Sequence, residues 1–561
     1  MHVIGKPPRL PYERGTSPAV FPNQKENDAM KHALPRLVPE GRDDAAAGTD
    51  SVLLAVYAPF GTDKTLSSYP GSKQQPLTQH PLVRNLLQAA GAGIHVSALI
   101  DRVGENTYLV EIPAGQPGNM RITSSWKEDM SSPLALAGFL QRAHACHPKA
   151  AIVLSLEGHG AGYLPEIDRT QLTVGNVTAG GKITWSISGE GSPILPTGSP
   201  ILPTGSPILP TGSPILPVNH MPLSTWGTGD ALRRAQKCGV PKVAVLHFNN
   251  CFNMSAELLH TVAPYAEYAA GYMNYNFFTA GETYPDVFRR LARPGAHTTR
   301  QLAGLFALGN QRFLEAKGNH PTVGASVQLT RMKGIADGID TVARELLQAL
   351  RANPLGSAAR RAVADAIQAA IEAAQQYDTS SGGGFGLDTP DELTDIGSLA
   401  ITLQAPSALP NAVRLAARAL SQLLTDIKRY GSNDLPWLDT TVRWDFKPSV
   451  KDDLAMNILL PDPQRKGIWD WRSPYYMDIN PDPNLPLVQP HVIDFLKETN
   501  WVEFIDEYHK GVRFAGLLAA RIPDFPIFDA KFVPPDRPPY GQGQPQPGDQ
   551  PGAAGKGGKR T

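Results

Sequence analysis

Between residues 50 and 290, short apolar runs alternate with stretches of helical periodicity, and this alternation narrows the fold more than any other feature of the chain. Val52–Tyr57 (VLLAVY), Ile94–Ile100 (IHVSALI), Ala151–Leu156 (AIVLSL) and Lys242–Phe248 (KVAVLHF) are runs of buried-strand type. Successive side chains of a strand point to opposite faces, so a continuous apolar run predicts a strand covered on both. Helical patterns lie between them at Pro81–Ala90, where proline suits the first helical position, at Leu134–Cys146 and at Asp230–Lys237. The expected fold is α/β, a mainly parallel sheet with helices on both faces. Helical patterns then dominate 326–430, notably 335–352, 358–377 and 410–429, and a mixed, aromatic-rich stretch covers 435–530.

The chain has 561 residues, 41% of them hydrophobic, which is enough to build a large core. Its 52 Lys and Arg balance 52 Asp and Glu, so net charge gives no ground for nucleic acid or an anionic membrane as partner. Three cysteines, Cys146, Cys238 and Cys251, form no disulfide framework and suit a reducing compartment. The opening MHVIGKPPRLPYERG lacks the apolar core of a signal peptide, and no uncharged apolar run nears the roughly 20 residues of a membrane span. A cytoplasmic protein is expected; its oligomeric state is left open.

Residues 1–48 read as a flexible arm and 533–561 as a disordered tail, both rich in proline and poor in periodic apolar residues. A unit GSPILPT begins at Gly191 and recurs at 198–204 and 205–211, followed by GSPILPV at 212–218. Two prolines per unit forbid a helix despite the seven-residue period. The reading is a flexible repeat insertion, 183–227, within a domain spanning 49–320, followed by a helical and mixed C-terminal region, 321–532.

Parallel α/β sheets gather chemistry at the carboxyl ends of their strands. The run at 151–156 leads into Glu157-Gly158-His159-Gly160-Ala161-Gly162, and the run at 242–248 into Asn249-Asn250-Cys251, followed at once by the helical pattern MSAELLHTV. If those strands are neighbours, an imidazole and a thiol share one edge, the minimum for a thiol nucleophile with a general acid/base. A thiol just before a helix would also sit near its positive N-terminal amides. Taken singly, a buried cysteine is more often a small core residue and a histidine between glycines a turn residue. Glu157 would orient the histidine or, more simply, be a solvent-facing carboxylate.

The segment MSSPLALAGFLQRAHACHPKAAIVLSLEGHGAGY (130–163) resembles the clostripain-like cysteine peptidases of the caspase-like fold, and VAVLHFNNCFNMSAELLHTVAPYAEYAAG resembles their second block. TVGASVQLTRM (322–332), DELTDIGSLA (391–400), AMNILLP (455–461) and FLKETNWVEFIDEY (495–508) follow in that family's order, so the resemblance spans most of 50–510. It implies a cysteine endopeptidase in which His159 is the general acid/base and Cys251 forms a thioester. Backbone N–H groups of Gly160 and Cys251 would hold the oxyanion. It also implies processing of the chain between the two blocks, 160–250.

Where that family commonly carries an Asp two residues before the cysteine, lining a pocket for a basic side chain, this chain has Asn249. The acidic segment after the next strand is replaced by Tyr272-Met273-Asn274-Tyr275-Asn276. Asn249, Tyr272 and Asn274 are the expected pocket residues, and they argue against a strong preference for Arg or Lys, since a carboxamide does not neutralise a buried guanidinium. An Asp at position 249 should then shift the preference towards basic side chains. His144-Ala145-Cys146-His147 has metal-ligand atoms but a spacing that does not converge them. Asp462 and the NPDPN run around Asp482 are calcium candidates that read more simply as turns, so no cofactor is expected. There is no P-loop and no Rossmann glycine pattern. The alternatives to a peptidase acting on protein or peptide substrates are a scaffold with altered catalysis on the same fold, and acyl transfer by the same dyad.

Overall fold

The computed structural model describes residues 52–60, 64–69, 73–102, 106–126, 128–158, 160, 162–166, 223–274, 276, 278–291, 298–318, 323–377, 393–430, 448–450, 452–461, 476–477 and 491–510. All belong to one compact unit, Ala46–Thr561. The expected arm 1–48, the four GSPILP units and the tail 533–561 lie outside the described residues.

A nine-stranded sheet carries the fold, in the order β11-β8-β7-β6-β5-β1-β2-β3-β4. Its centre is parallel: β7 (Ala266–Tyr272), β6 (Val243–Asn249), β5 (Ala151–Glu157), β1 (Val52–Pro59) and β2 (His95–Asp101). Antiparallel strands extend it on both sides, β3 (Thr107–Ile112) and β4 (Arg121–Trp126) beyond β2, and β8 (Gly324–Gln328) and β11 (Lys428–Tyr430) beyond β7. The four apolar runs of the sequence are the parallel strands β1, β2, β5 and β6.

Period-two alternation splits β1 between two cores. Leu53, Ala55 and Tyr57 join one apolar cluster, and Val52, Leu54, Val56 and Ala58 the other. The second face is covered by α1 (Pro81–Gly91), α5 (Tyr284–Arg290) and α6 (Thr299–Gly318). The first face takes α2 (Pro133–Cys146), α3 (Thr225–Lys237) and α4 (Ala256–Val262). Helices therefore cover both faces, as the alternation predicts.

The C-terminal half packs into that first core. Apolar residues of α7 (Met332–Arg351), α8 (Ala358–Ala373), α9 (Ile396–Thr402), α10 (Asn411–Leu424) and α11 (Trp501–His509) belong to the same cluster as β5 and β6. A three-stranded antiparallel sheet, β12 (Asn457–Leu459), β10 (Leu393–Asp395) and β9 (Gln376–Tyr377), accompanies them.

The described residues on either side of 167–222 meet. Thr225 N–H donates to the Leu164 carbonyl at 2.9 Å, and Leu164 N–H to Thr225 Oγ1 at 2.9 Å. Beside this pair Ser224 Oγ donates to the buried Glu166 carboxylate and accepts from Gly227 N–H at 2.8 Å, capping α3. Because α3 starts at Thr225, residues 223–227 belong to the folded unit and not to the expected insertion, 183–227. Residues 167–222 lie outside the described residues.

Candidate active site

Chain order fixes where a cleft opens. From β1 the sheet grows one way through β2 and the other way through β5, β6 and β7, so the connections diverge at the carboxyl ends of β1 and β5. There β5 and β6 pair in parallel with Glu157 opposite Asn249. His159 and Cys251 each stand two residues further along the chain.

The loops beyond these two strands touch. A Cβ on Gly160 would lie 2.1 Å from the Cys251 carbonyl oxygen and 3.0 Å from the Asn250 carboxamide, so only glycine fits. Gly158, at φ 93°, turns the chain beside Pro59 of β1. His159 lies outside the described residues.

Cys251 is buried, 1% exposed. The backbone N–H of Asn276, in the loop after β7, donates to its sulfur at 3.0 Å, and the Asn276 carbonyl lies 3.3 Å from it, placed to accept the thiol proton. The helix expected at once after the cysteine begins later. Ser255 caps α4, a helix of seven residues that starts at Ala256. The amide facing the sulfur therefore comes from a neighbouring loop and not from a helix end. Between sulfur and helix the chain turns through Phe252, whose φ of 59° is rare for a bulky residue.

Glu157 departs from its expectation as a solvent-facing carboxylate. It is 1% exposed and sits in a polar cluster under the loops. Both carboxylate oxygens accept from Asn249 Nδ2, at 3.1 and 2.9 Å. One also accepts from Ser155 Oγ at 3.2 Å and from the Tyr284 hydroxyl. Desolvation pushes its carboxyl up to about 7, the hydrogen bonds from Tyr284, Asn249 and Ser155 offsetting only part of the rise. Ser155 Oγ also meets the Tyr284 hydroxyl at 2.6 Å and His247 Nδ1 at 3.0 Å. Burial drives His247 down to about 3, so this imidazole is neutral, stacked on Phe306 with ring centroids 4.7 Å apart.

The expected pocket residues are all buried. Asn249 Oδ1 accepts from Asn276 Nδ2 at 3.0 Å, so its carboxamide joins Glu157 on one side to the loop facing the sulfur on the other. Asn310 Nδ2 reaches the same oxygen. Asn274 Oδ1 accepts from Val323 N–H at 2.9 Å, and the Asn274 carbonyl from Phe252 N–H at 3.0 Å. The Tyr272 carbonyl accepts from Met254 N–H at 3.1 Å. Tyr275 lies outside the described residues.

Sequence reasoning missed His247, Tyr284 and Asn310. Nothing local marks them, because each reaches the cluster from a separate element: β6, α5 and α6.

Cys146 and Cys238 fall where helices end, at the last residue of α2 and the C-cap of α3, and all three cysteines are free thiols. His147 stacks on His95 at 3.9 Å and Cys146 Sγ lies 3.8 Å from Glu111. Among the described residues no group of three or more His, Cys, Asp or Glu could hold a metal ion. Asp462 and Asp482 lie outside them. No helix among the described residues is long and apolar enough to cross a membrane.

No protein-family model and no curated protein matches the chain. Solved structures similar to it are C11 cysteine proteases. A secreted C11 cysteine protease from Bacteroides thetaiotaomicron is 10% identical over 68% of this chain and 87% of its own, with a TM-score of 0.42. The complex of a secreted C11 protease of that organism with an irreversible peptide inhibitor is 11% identical over 73% and 92%, TM-score 0.44. An inactive zymogen C11 protease from Parabacteroides distasonis is 12% identical over 82% and 99%, TM-score 0.42.

Proposed function

We propose that this chain is a cysteine endopeptidase of clostripain-like type, with Cys251 as nucleophile and His159 as general acid/base. The observation that carries the reading is the junction of β5 and β6: Glu157 and Asn249 are register partners, and Gly160 packs on the Cys251 backbone. The loop that contains His159 thereby borders the loop that contains Cys251.

In the proposed reaction His159 takes the thiol proton and Cys251 Sγ attacks the scissile carbonyl carbon, forming a C–S bond. The carbonyl oxygen becomes an oxyanion held by the N–H groups of Gly160 and Cys251. As the C–N bond breaks, His159 passes the proton to the leaving amine. Water, deprotonated by His159, then cleaves the thioester and returns the thiol. Asn249, Tyr272 and Asn274 would shape the pocket through the backbone they hold. Self-processing between the two blocks, within 167–222, belongs to the same proposal, as does a cytoplasmic location, for which the three free thiols speak.

The burial of Cys251 favours one alternative, a scaffold on this fold that does not turn over. A thiol-reactive peptidyl electrophile separates the two. The peptidase reading expects labelling of the parent protein, loss of label and of peptide hydrolysis in Cys251→Ala, loss of hydrolysis in His159→Ala, and near-parental behaviour in Cys146→Ala and Cys238→Ala. Full hydrolysis by Cys251→Ala would refute it.

A further inference from the structure

Phe252, directly after Cys251, is held at φ 59° with its side chain fully buried. A left-handed backbone at an aromatic residue persists only where its surroundings impose it. Much of that constraint comes from one side chain 205 residues downstream. Asn457 Nδ2 donates to the Phe252 carbonyl at 2.7 Å and to the Met273 carbonyl at 2.8 Å. The two donors of one carboxamide thus join the loop after β6, which contains Cys251, to the loop after β7, which supplies the N–H facing the sulfur. The Asn457 backbone N–H adds a bond to the Met254 carbonyl at 2.9 Å, and β12 fixes Asn457 itself by pairing it with Asp395.

The other end of that carboxamide sharpens the argument. Asn457 is fully buried, and its Oδ1 has no hydrogen-bond partner among the described residues. That oxygen lies 3.2 Å from where a Cβ on Gly162 would be, and Gly162, at φ 70°, gives its own N–H to Asn253 Oδ1. A buried acceptor left unpaired is destabilising. A leucine has the same branching and no such acceptor. What a leucine lacks is the pair of donors, and both are spent on carbonyls of the two loops that supply the sulfur and the N–H facing it.

We propose that Asn457 is a positioning residue for Cys251, one that holds the two loops around the thiol in register through the Phe252 and Met273 carbonyls. The proposal rests on the reading of Cys251 as nucleophile. Without the donors Phe252 relaxes towards ordinary φ, and the Cys251 N–H and Sγ move relative to a bound carbonyl.

Asn457→Leu and Asn457→Asp test it in the full chain; both keep the branching and remove the Nδ2 donors, and Asp also keeps the volume. A misplacement of about 1 Å at a reacting group costs about 100-fold, so kcat should fall by that order with KM little changed. Iodoacetamide, followed site by site by mass spectrometry, should modify the released Cys251 faster than in the parent, with Cys146 unchanged. A parental kcat, or a kcat loss with Cys251 alkylated at the parental rate, would overturn the proposal. So would loss of cooperative melting in both variants, which would make Asn457 a support of the whole fold and not of these loops. A parent protein without peptidase activity would instead refute the proposed function, and the alkylation rates would still decide the role of Asn457.

Discussion

The carboxylate of Glu157 and the carboxamide of Asn249 close against each other across β5 and β6, one Nδ2 donating to both carboxylate oxygens. Both groups are buried, so the polarity of this contact is fixed by the amide.

Asn249→Asp therefore has a consequence other than a changed pocket. The substitution replaces the donor 2.9 Å from Glu157 with a second acceptor, and two buried carboxylates at that distance must share a proton. The variant should melt several degrees lower at pH 8 and recover much of the loss at pH 5. Adding Glu157→Gln should restore it at both. An Asn249→Asp protein as stable as the parent at pH 8, with a new preference for Arg at the cleavage site, would return the residue to the pocket role.

A pH dependence follows from Glu157 itself. Its carboxyl titrates at about 7 in the fold, against 4.5 as its ordinary value. Between those values the folded chain keeps a proton that the unfolded chain has released, so stability falls as pH rises through this window and levels off above it. The shift corresponds to a loss on the order of 3 kcal/mol. Asp395, raised to about 7 by burial, adds a fall of the same sign. Thermal melts at pH 5 and pH 8 should show a smaller drop for Glu157→Gln than for the parent; equal drops would remove Glu157 from the account.

Gly160→Ala should abolish hydrolysis. Its Cβ would overlap the Cys251 carbonyl oxygen at 2.1 Å, so the two loops must part. Because the clash is local, the melting temperature should move far less than kcat, which is expected to fall about 100-fold or more. Substantial residual turnover would mean that the loops are not held together during catalysis.

Removing one or two GSPILPT units should leave melting temperature and kcat unchanged, since Leu164, Glu166, Ser224 and Thr225 close the chain on either side of 167–222 and closure entropy varies slowly with loop length. A cut within 167–222 should yield two fragments that co-elute on size exclusion under native conditions. The order of the sheet is the reason. Every strand before the cut, β1 to β5, lies on one side of the β5–β6 pair, and β6, β7, β8 and β11 on the other, so the fragments share an intact parallel pair. Separate elution would show that this pairing does not hold them.

How far the sequence foretold this arrangement depended on how many elements a feature needed. Four strands were readable because burial on two faces leaves few polar residues to break the run, and none in Val52–Tyr57 of β1. β3 does not stand out in the sequence because Tyr108 and Glu111, one on each face and both half-buried, interrupt its apolar residues. The neighbourhood of Gly160 and Cys251 was legible from matching strand ends. The burial of Glu157 was not, since its partners Asn249 and Tyr284 stand 92 and 127 residues away. The helical pattern MSAELLHTV starts two residues before α4 does, because Ser255 serves as the cap and the helix begins at Ala256.

The span between Phe252 and Asn457 also has a meaning in time. A ribosome makes Cys251 some 205 residues before it makes the carboxamide that braces the next peptide. Through that interval of synthesis the nascent chain holds the thiol without this support. A chain that terminates early, or is degraded from its C-terminal side to before Asn457, carries the same handicap. On the proposed reading, synthesis through Asn457 is then a condition for alignment of the thiol.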